Sequence, residues 1–128
     1  MICLKPEFGE KLAEYAAGFD GFASADGKVG DLTGYIAKEN DDCVGYLLFK
    51  ISAEPNVTRV SANAEDVADG LLKAAVDFAL RIEARRITCT DLRDVQLLTK
   101  VGFAPDGDAR YAMAPENVVH QCHNCPFK

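Results

Sequence analysis

VTRVSANAEDVADGLLKAAVDFALRIEARRITCTDLRDVQLLTKVGF, residues 57–103, is the stretch that decides the architecture. It opens with Val57–Ser61, a short run rich in β-branched residues that predicts a strand. Residues 64–84 then switch to helical spacing. Val67, Leu71, Ala75, Phe78 and Ile82 fall on one face, and Asp66, Asp69, Lys73, Asp77 and Arg81 form a polar stripe on another. Asp69–Lys73 and Asp77–Arg81 are oppositely charged pairs four residues apart. Ser61 or Asn63 is placed to cap this helix, and Glu65 and Asp66 suit the positive end of its dipole. Arg86–Thr90 reads as a short buried strand. Asp91–Val101 reads as a second helix, with Asp91 as its cap and Gly102 as its stop. Strand, helix and strand in this order make a right-handed β-α-β unit.

Upstream of that unit the chain predicts antiparallel strands. Thr33–Lys38 and Cys43–Ile51 flank the turn Glu39–Asp42, and the second strand is apolar enough to be buried on both faces. Pro55 and Asn56 turn the chain into Val57–Ser61. Residues 2–4 read as a first strand. Pro6 suits the first turn of a helix over 6–19, whose apolar face carries Phe8, Leu12, Tyr15, Ala16 and Phe19. Residues 20–31, rich in Gly and Asp, read as a loop. Downstream, strands around Phe103 and over Ala109–Met113 complete the sheet. The fold class is α/β (α+β): a mixed, mostly antiparallel sheet flanked by helices. It occupies residues 1–118, and 119–128 form a separate Cys/His tail.

Two patterns in this order resemble the GNAT superfamily of N-acetyltransferases. One is Val57-Thr-Arg-Val-Ser61, a loop, and Gly70-Leu-Leu-Lys-Ala-Ala-Val-Asp-Phe-Ala79. The other is Ile87-Thr-Cys-Thr-Asp91 followed by Leu97-Leu-Thr-Lys-Val-Gly-Phe103. The resemblance implies an acetyl-CoA pocket in which unpaired N–H groups at a loop and helix N-terminus hold the pyrophosphate. It assigns the cofactor to Val60, Ala62, Asp66, Val67, Ala68 and Gly70. A backbone N–H near Val60 or Ala62 would polarise the thioester carbonyl. The acceptor would be a small-molecule amine or a protein amino group, deprotonated by a carboxylate or water.

The chain departs from the family pattern where the chemistry sits. Asn63-Ala-Glu-Asp-Val-Ala68 stands where the family carries a basic residue and glycines. Glu65 and Asp66 would face a pyrophosphate with like charge. Leu98 stands where the family often has a tyrosine that protonates the departing thiolate, and leucine transfers no proton. Asp91 replaces a frequent asparagine. Asp91 and Tyr111 are the catalytic candidates that remain, with Glu39, Asp41 and Asp42 as weaker ones in a solvated turn. Two readings follow: an acetyl-CoA-dependent N-acetyltransferase, or a non-catalytic domain of the same fold that binds a ligand or partner.

His120, Cys122, His123 and Cys125 put four thiol or imidazole ligands within six residues of the tail, a set suited to zinc. Six residues cannot surround a tetrahedral ion, so the site would need Cys3, another loop, or the same tail in a homodimer. Redox chemistry is the competing reading of Cys122 and Cys125, but no helix follows them to lower a thiol pKa. A packed or reduced tail is the plainest.

Bulk properties bound the function. A net charge of -6 argues against a broad nucleic-acid surface. No run of about 18 apolar residues exists to span a membrane, and MICLKPEF lacks the basic start and apolar run of a signal peptide. Five cysteines, an odd number, give no disulfide framework. The expectation is a soluble cytoplasmic protein.

Overall fold

The computed structural model describes residues 2–23 and 29–117. Seven strands form one sheet: β1 (Ile2–Phe8), β2 (Thr33–Glu39), β3 (Asp42–Lys50), β4 (Asn56–Ala62), β5 (Ile87–Cys89), β6 (Ala104–Pro105) and β7 (Tyr111–Met113). Their order is β1-β2-β3-β4-β5-β7-β6, and only β4 and β5 run parallel. Three helices flank it: α1 (Gly9–Asp20), α2 (Glu65–Arg81) and α3 (Val95–Val101). The mixed, mostly antiparallel sheet predicted from the sequence is present, in the predicted order.

The sheet separates two cores. On one face α1 packs Leu12 and Ala16 against Ile36, Tyr46 and Leu48. On the other, α2 and α3 bury Val67, Leu71, Leu72, Leu97 and Leu98 over Leu47, Phe49 and Val57. Burial on both sides explains the unbroken apolar run in β3. Along α2 the expected ion pairs form, Asp69–Lys73 at 3.1 Å and Asp77–Arg81 at 2.9 Å. The helix ends sooner than its periodicity suggested. Ile82 lies past the last turn and is 43% exposed rather than packed inward.

Pro6 does not open α1. It lies in β1 opposite Tyr35, and the helix begins at Gly9. Gly9 N–H donates to Leu32 C=O at 2.9 Å, so by alternation the odd residues of β1 face β2 and the even ones face outward. Pro6 therefore sits on the free edge, where its missing N–H costs nothing. The next outward N–H, of Phe8, is taken by its neighbour Glu7 at 3.3 Å.

The feature that shapes the site is in β4. Its register with β3 slips by one residue between Leu48 and Phe49, which pair with Arg59 and Val57. Thr58 is the extra residue, a β-bulge whose hydroxyl donates to Leu48 C=O at 3.3 Å. Before the bulge, Pro55 and Val57 point their carbonyls at β5 and accept from Thr88 and Thr90. Beyond it the alternation is inverted. Val60 and Ala62 now turn their backbone toward the β5 side, while Arg59 and Ser61 pair with β3.

Candidate acyl-transfer cleft

β5 stops at Cys89, whereas β4 runs on to Ala62. The strands part beyond the Thr90 N–H···O=C Val57 bond, and a cleft of about 430 Å³ opens in the gap. Val60, Ser61 and Ala62 form one wall. Asn63, Ala64 and Glu65, at the start of α2, form its rim. Ala68 and Leu72 of α2 line it with Asp91, Arg93, Asp94, Leu97 and Leu98. That volume is within the range of ordinary ligand sites, and a strand end beside a helix start is where α/β folds place them.

The start of α2 is uncapped. Ala64, in extended conformation, holds the cap position and no side chain bonds the first turn from there. Neither Ser61 nor Asn63 plays the capping role expected from the sequence. Asn63 N–H instead donates to Val44 C=O at 3.0 Å, which pins the turn to β3. One first-turn donor is nonetheless taken: Asp66 Oδ1 accepts from Val67 N–H at 3.0 Å, which sets a carboxylate at the positive end of the helix. One of the two acidic residues there has a cationic partner. Glu65 is paired with Lys100 of α3 at 2.9 Å, and this carboxylate holds the Lys100 ammonium above its ordinary pKa.

Asp91 does not cap α3. That role belongs to Asp94, whose carboxylate accepts from Leu97 N–H at 3.1 Å. Helix α3 therefore starts at Val95, four residues later than predicted. Asp91 is instead turned into the gap, its side chain 6% exposed, where it accepts from Val60 N–H at 2.9 Å. Arg93 grips the same carboxylate, with Nε at 2.8 Å and Nη2 at 2.7 Å, and reaches Val60 C=O at 2.9 Å. Burial pushes the Asp91 pKa up, but the Arg93 guanidinium and Val60 N–H outweigh it and leave the carboxyl below its usual range. So placed, Asp91 is a strong acceptor and a poor base at neutral pH.

The remaining predicted residues are distributed as follows. Val60, Ala62 and Ala68 line the cleft. Asp66 lies beside it, in a hollow shared with Glu65, Asp69, Leu97 and Lys100. Val67 is buried in the core, and Gly70 faces Leu4 of β1. Tyr111, on β7 opposite Cys89, packs against the core and is not among the cleft residues. Asp41 and Asp42 line a separate shallow hollow with Glu14, Tyr15 and Cys43, and Glu39 closes the same hairpin. His120, Cys122, His123 and Cys125 lie outside the described residues. Among the described residues, no group of three or more His, Cys, Asp or Glu is placed to hold a metal, and no helix is long and apolar enough to cross a membrane.

Sequence reasoning missed Arg93 as a cation of the cleft and Lys100 as one of the hollow beside it, and missed a polar cluster on the opposite face of β4. There the buried Tyr46 hydroxyl donates to Asp20 at 2.9 Å and accepts from Arg59 Nε at 2.6 Å. Arg59 also bonds Asp20 at 3.0 Å and lies over the Phe22 ring. Burial pushes the Tyr46 hydroxyl up to about 12, so it stays protonated.

No family model matches the chain, and no curated protein matches it by sequence. Solved structures do match. An IAA acetyltransferase from Bacillus cereus superimposes with a TM-score of 0.70 at 13% identity, over 89% of this chain and 99% of that one. The chain has the GNAT acetyltransferase fold. The ribosomal-protein-S18-alanine N-acetyltransferase of Escherichia coli gives a TM-score of 0.70 at 11% identity, over 98% of this chain and 99% of that one. A GNAT family acetyltransferase from Elizabethkingia anophelis, with acetyl-CoA bound, gives 0.69 at 13%, over 88% and 97%. The architecture is thus an established one, reached by a sequence far removed from those of these structures.

Proposed function

We propose that the cleft between β4 and β5 binds acetyl-CoA and that the protein transfers its acetyl group to an amine. The observation that carries this reading is the meeting of the bulge-inverted β4 backbone with the N-terminus of α2 in one open cleft. The residues present fit such a ligand. N–H groups at the start of α2 suit a pyrophosphate, with that of Val67 already held by Asp66. Arg93 and Lys100 offset the carboxylates of Asp91 and Glu65, and Ala62, Ala68, Leu72, Leu97 and Leu98 give an apolar wall for a pantetheine arm.

When bound, the cofactor supplies an activated thioester carbonyl. Around it the protein's own contributions are positional. The apolar wall excludes water, and the β4 backbone from Val60 to Ala62 lines the gap and orients the ligand. Asp91, with its lowered pKa, takes no proton from an ammonium at neutral pH. The amine therefore loses its proton to solvent and attacks directly. Leu98 donates no proton, so the thiolate leaves as the anion and is protonated by water.

One observation favours the alternative of a non-catalytic binding domain: the Val60 N–H is already engaged by Asp91. Calorimetry with CoA and acetyl-CoA, followed by a thiol-release assay over a panel of amines, separates the two readings. Micromolar binding with thiol release supports transfer. Binding without release under any amine supports the alternative, and no binding at millimolar ligand removes both uses of this cleft.

A further inference from the structure

Where β5 ends, the next residue of β4 facing it, Val60, would have an N–H and a C=O with no ladder partner. Both are taken by side chains. Asp91 Oδ2 accepts from the N–H and Arg93 Nη2 donates to the C=O, each at 2.9 Å. The two side chains are clamped to each other at 2.7 and 2.8 Å. One acceptor and one donor, held side by side, reproduce the carbonyl and the N–H that two successive peptide units of a neighbouring strand would offer.

We propose that Asp91 and Arg93 form a displaceable latch on β4, so that a ligand whose amide pairs with Val60 must first expel them. The proposal rests on the reading of the cleft as a pantetheine channel and names a regulation of that site. The two halves of the latch differ in mobility. The Arg93 side chain is 56% exposed and can swing into solvent, whereas Asp91 is 6% exposed and is held in the gap. Opening therefore begins at Arg93, which frees the Val60 C=O and loosens the grip on Asp91. The latch also keeps the β4 backbone satisfied while the cleft holds no ligand, which an open gap alone would not do.

The test compares the wild type with Arg93→Lys and Arg93→Ala by calorimetry, using two probes. CoA carries the pantetheine arm, and adenosine 3′,5′-bisphosphate lacks it. Lysine keeps the positive charge but lacks the planar fork that spans Asp91 and Val60. The ratio of CoA affinity to bisphosphate affinity should rise about 3- to 10-fold in Arg93→Lys, the range expected for one competing hydrogen bond. It should rise in Arg93→Ala as well, even where loss of charge weakens both probes. An unchanged or lower ratio in both variants overturns the latch while leaving the cleft reading intact. Failure of CoA to bind any form overturns the cleft reading, and the latch with it. CoA binding that appears only in the variants is the strongest support for both.

Discussion

Replacing Asp91 by alanine tests how the gap between β4 and β5 is held. The substitution removes a carboxylate that accepts from Val60 N–H at 2.9 Å and from Arg93 at 2.7 Å. A hydrogen bond to a charged acceptor contributes about 1.5–3 kcal/mol. Relief of the carboxylate's own desolvation offsets part of that loss, and the exposed Arg93 partner adds little. The net expected destabilisation is about 1–2 kcal/mol at pH 7. For a chain of this size that corresponds to a melting shift of roughly 3–10 °C. Asp91→Asn keeps an oxygen for Val60 and should lose about half as much. The pH dependence has a definite sign. The folded pKa of Asp91 is depressed, so its contribution is complete above the unfolded value of about 3.9 and is lost as pH falls through the folded value. Urea melts of wild type and Asp91→Ala should differ equally at pH 7 and pH 5, and converge below about pH 4. Equal midpoints at pH 7, or a gap that persists unchanged to pH 3, would refute the bonding scheme described for Val60.

Three further outcomes are expected. Gly34→Ala should cost about 3 kcal/mol or more, seen as a lower melting midpoint or loss of soluble protein, because a Cβ there would lie 1.8 Å from Leu47 carbonyl oxygen. Cys89 is fully buried and its thiol is pushed up to about 12, so wild type and Cys89→Ser should release equal colour from a thiol reagent at pH 8 when folded and differ by one thiol equivalent when unfolded. Lys100→Glu would set a second carboxylate beside Glu65 near the start of α2, and CoA affinity at low salt should fall about 2- to 5-fold, with the difference shrinking as salt is added.

The elements legible in the sequence were those with a strong period. Helix α2 and the buried strand β3 announced themselves through spacing and continuous apolarity, and Gly102, at φ 129°, ended α3 as expected. Pro6 misled because proline is tolerated both in a first helical turn and on an outer strand, and only tertiary pairing decides between them. Asp91 and Asp94 are both plausible caps three residues apart, and the choice went to Asp94 once Asp91 was drawn to Val60. The bulge at Thr58 left no mark in the residue pattern, because Val57 through Ala62 read equally well with or without an inserted residue. Yet that insertion determines which of Arg59 and Val60 faces the cleft. Lys100 was visible only as part of a motif, since its partner Glu65 lies 35 positions away.

The outermost strand has a consequence for how copies of this chain behave when crowded. Two successive outward positions on β1 offer an arriving backbone no hydrogen to share, one for want of it and the other because an adjoining side chain already holds it. A seven-stranded sheet ending in ICLKPEF would otherwise invite a further strand to dock along it. The proline thus acts as a terminator of the sheet, and its replacement by valine should raise the tendency of copies to add strand to strand at high concentration, read by light scattering against the wild type.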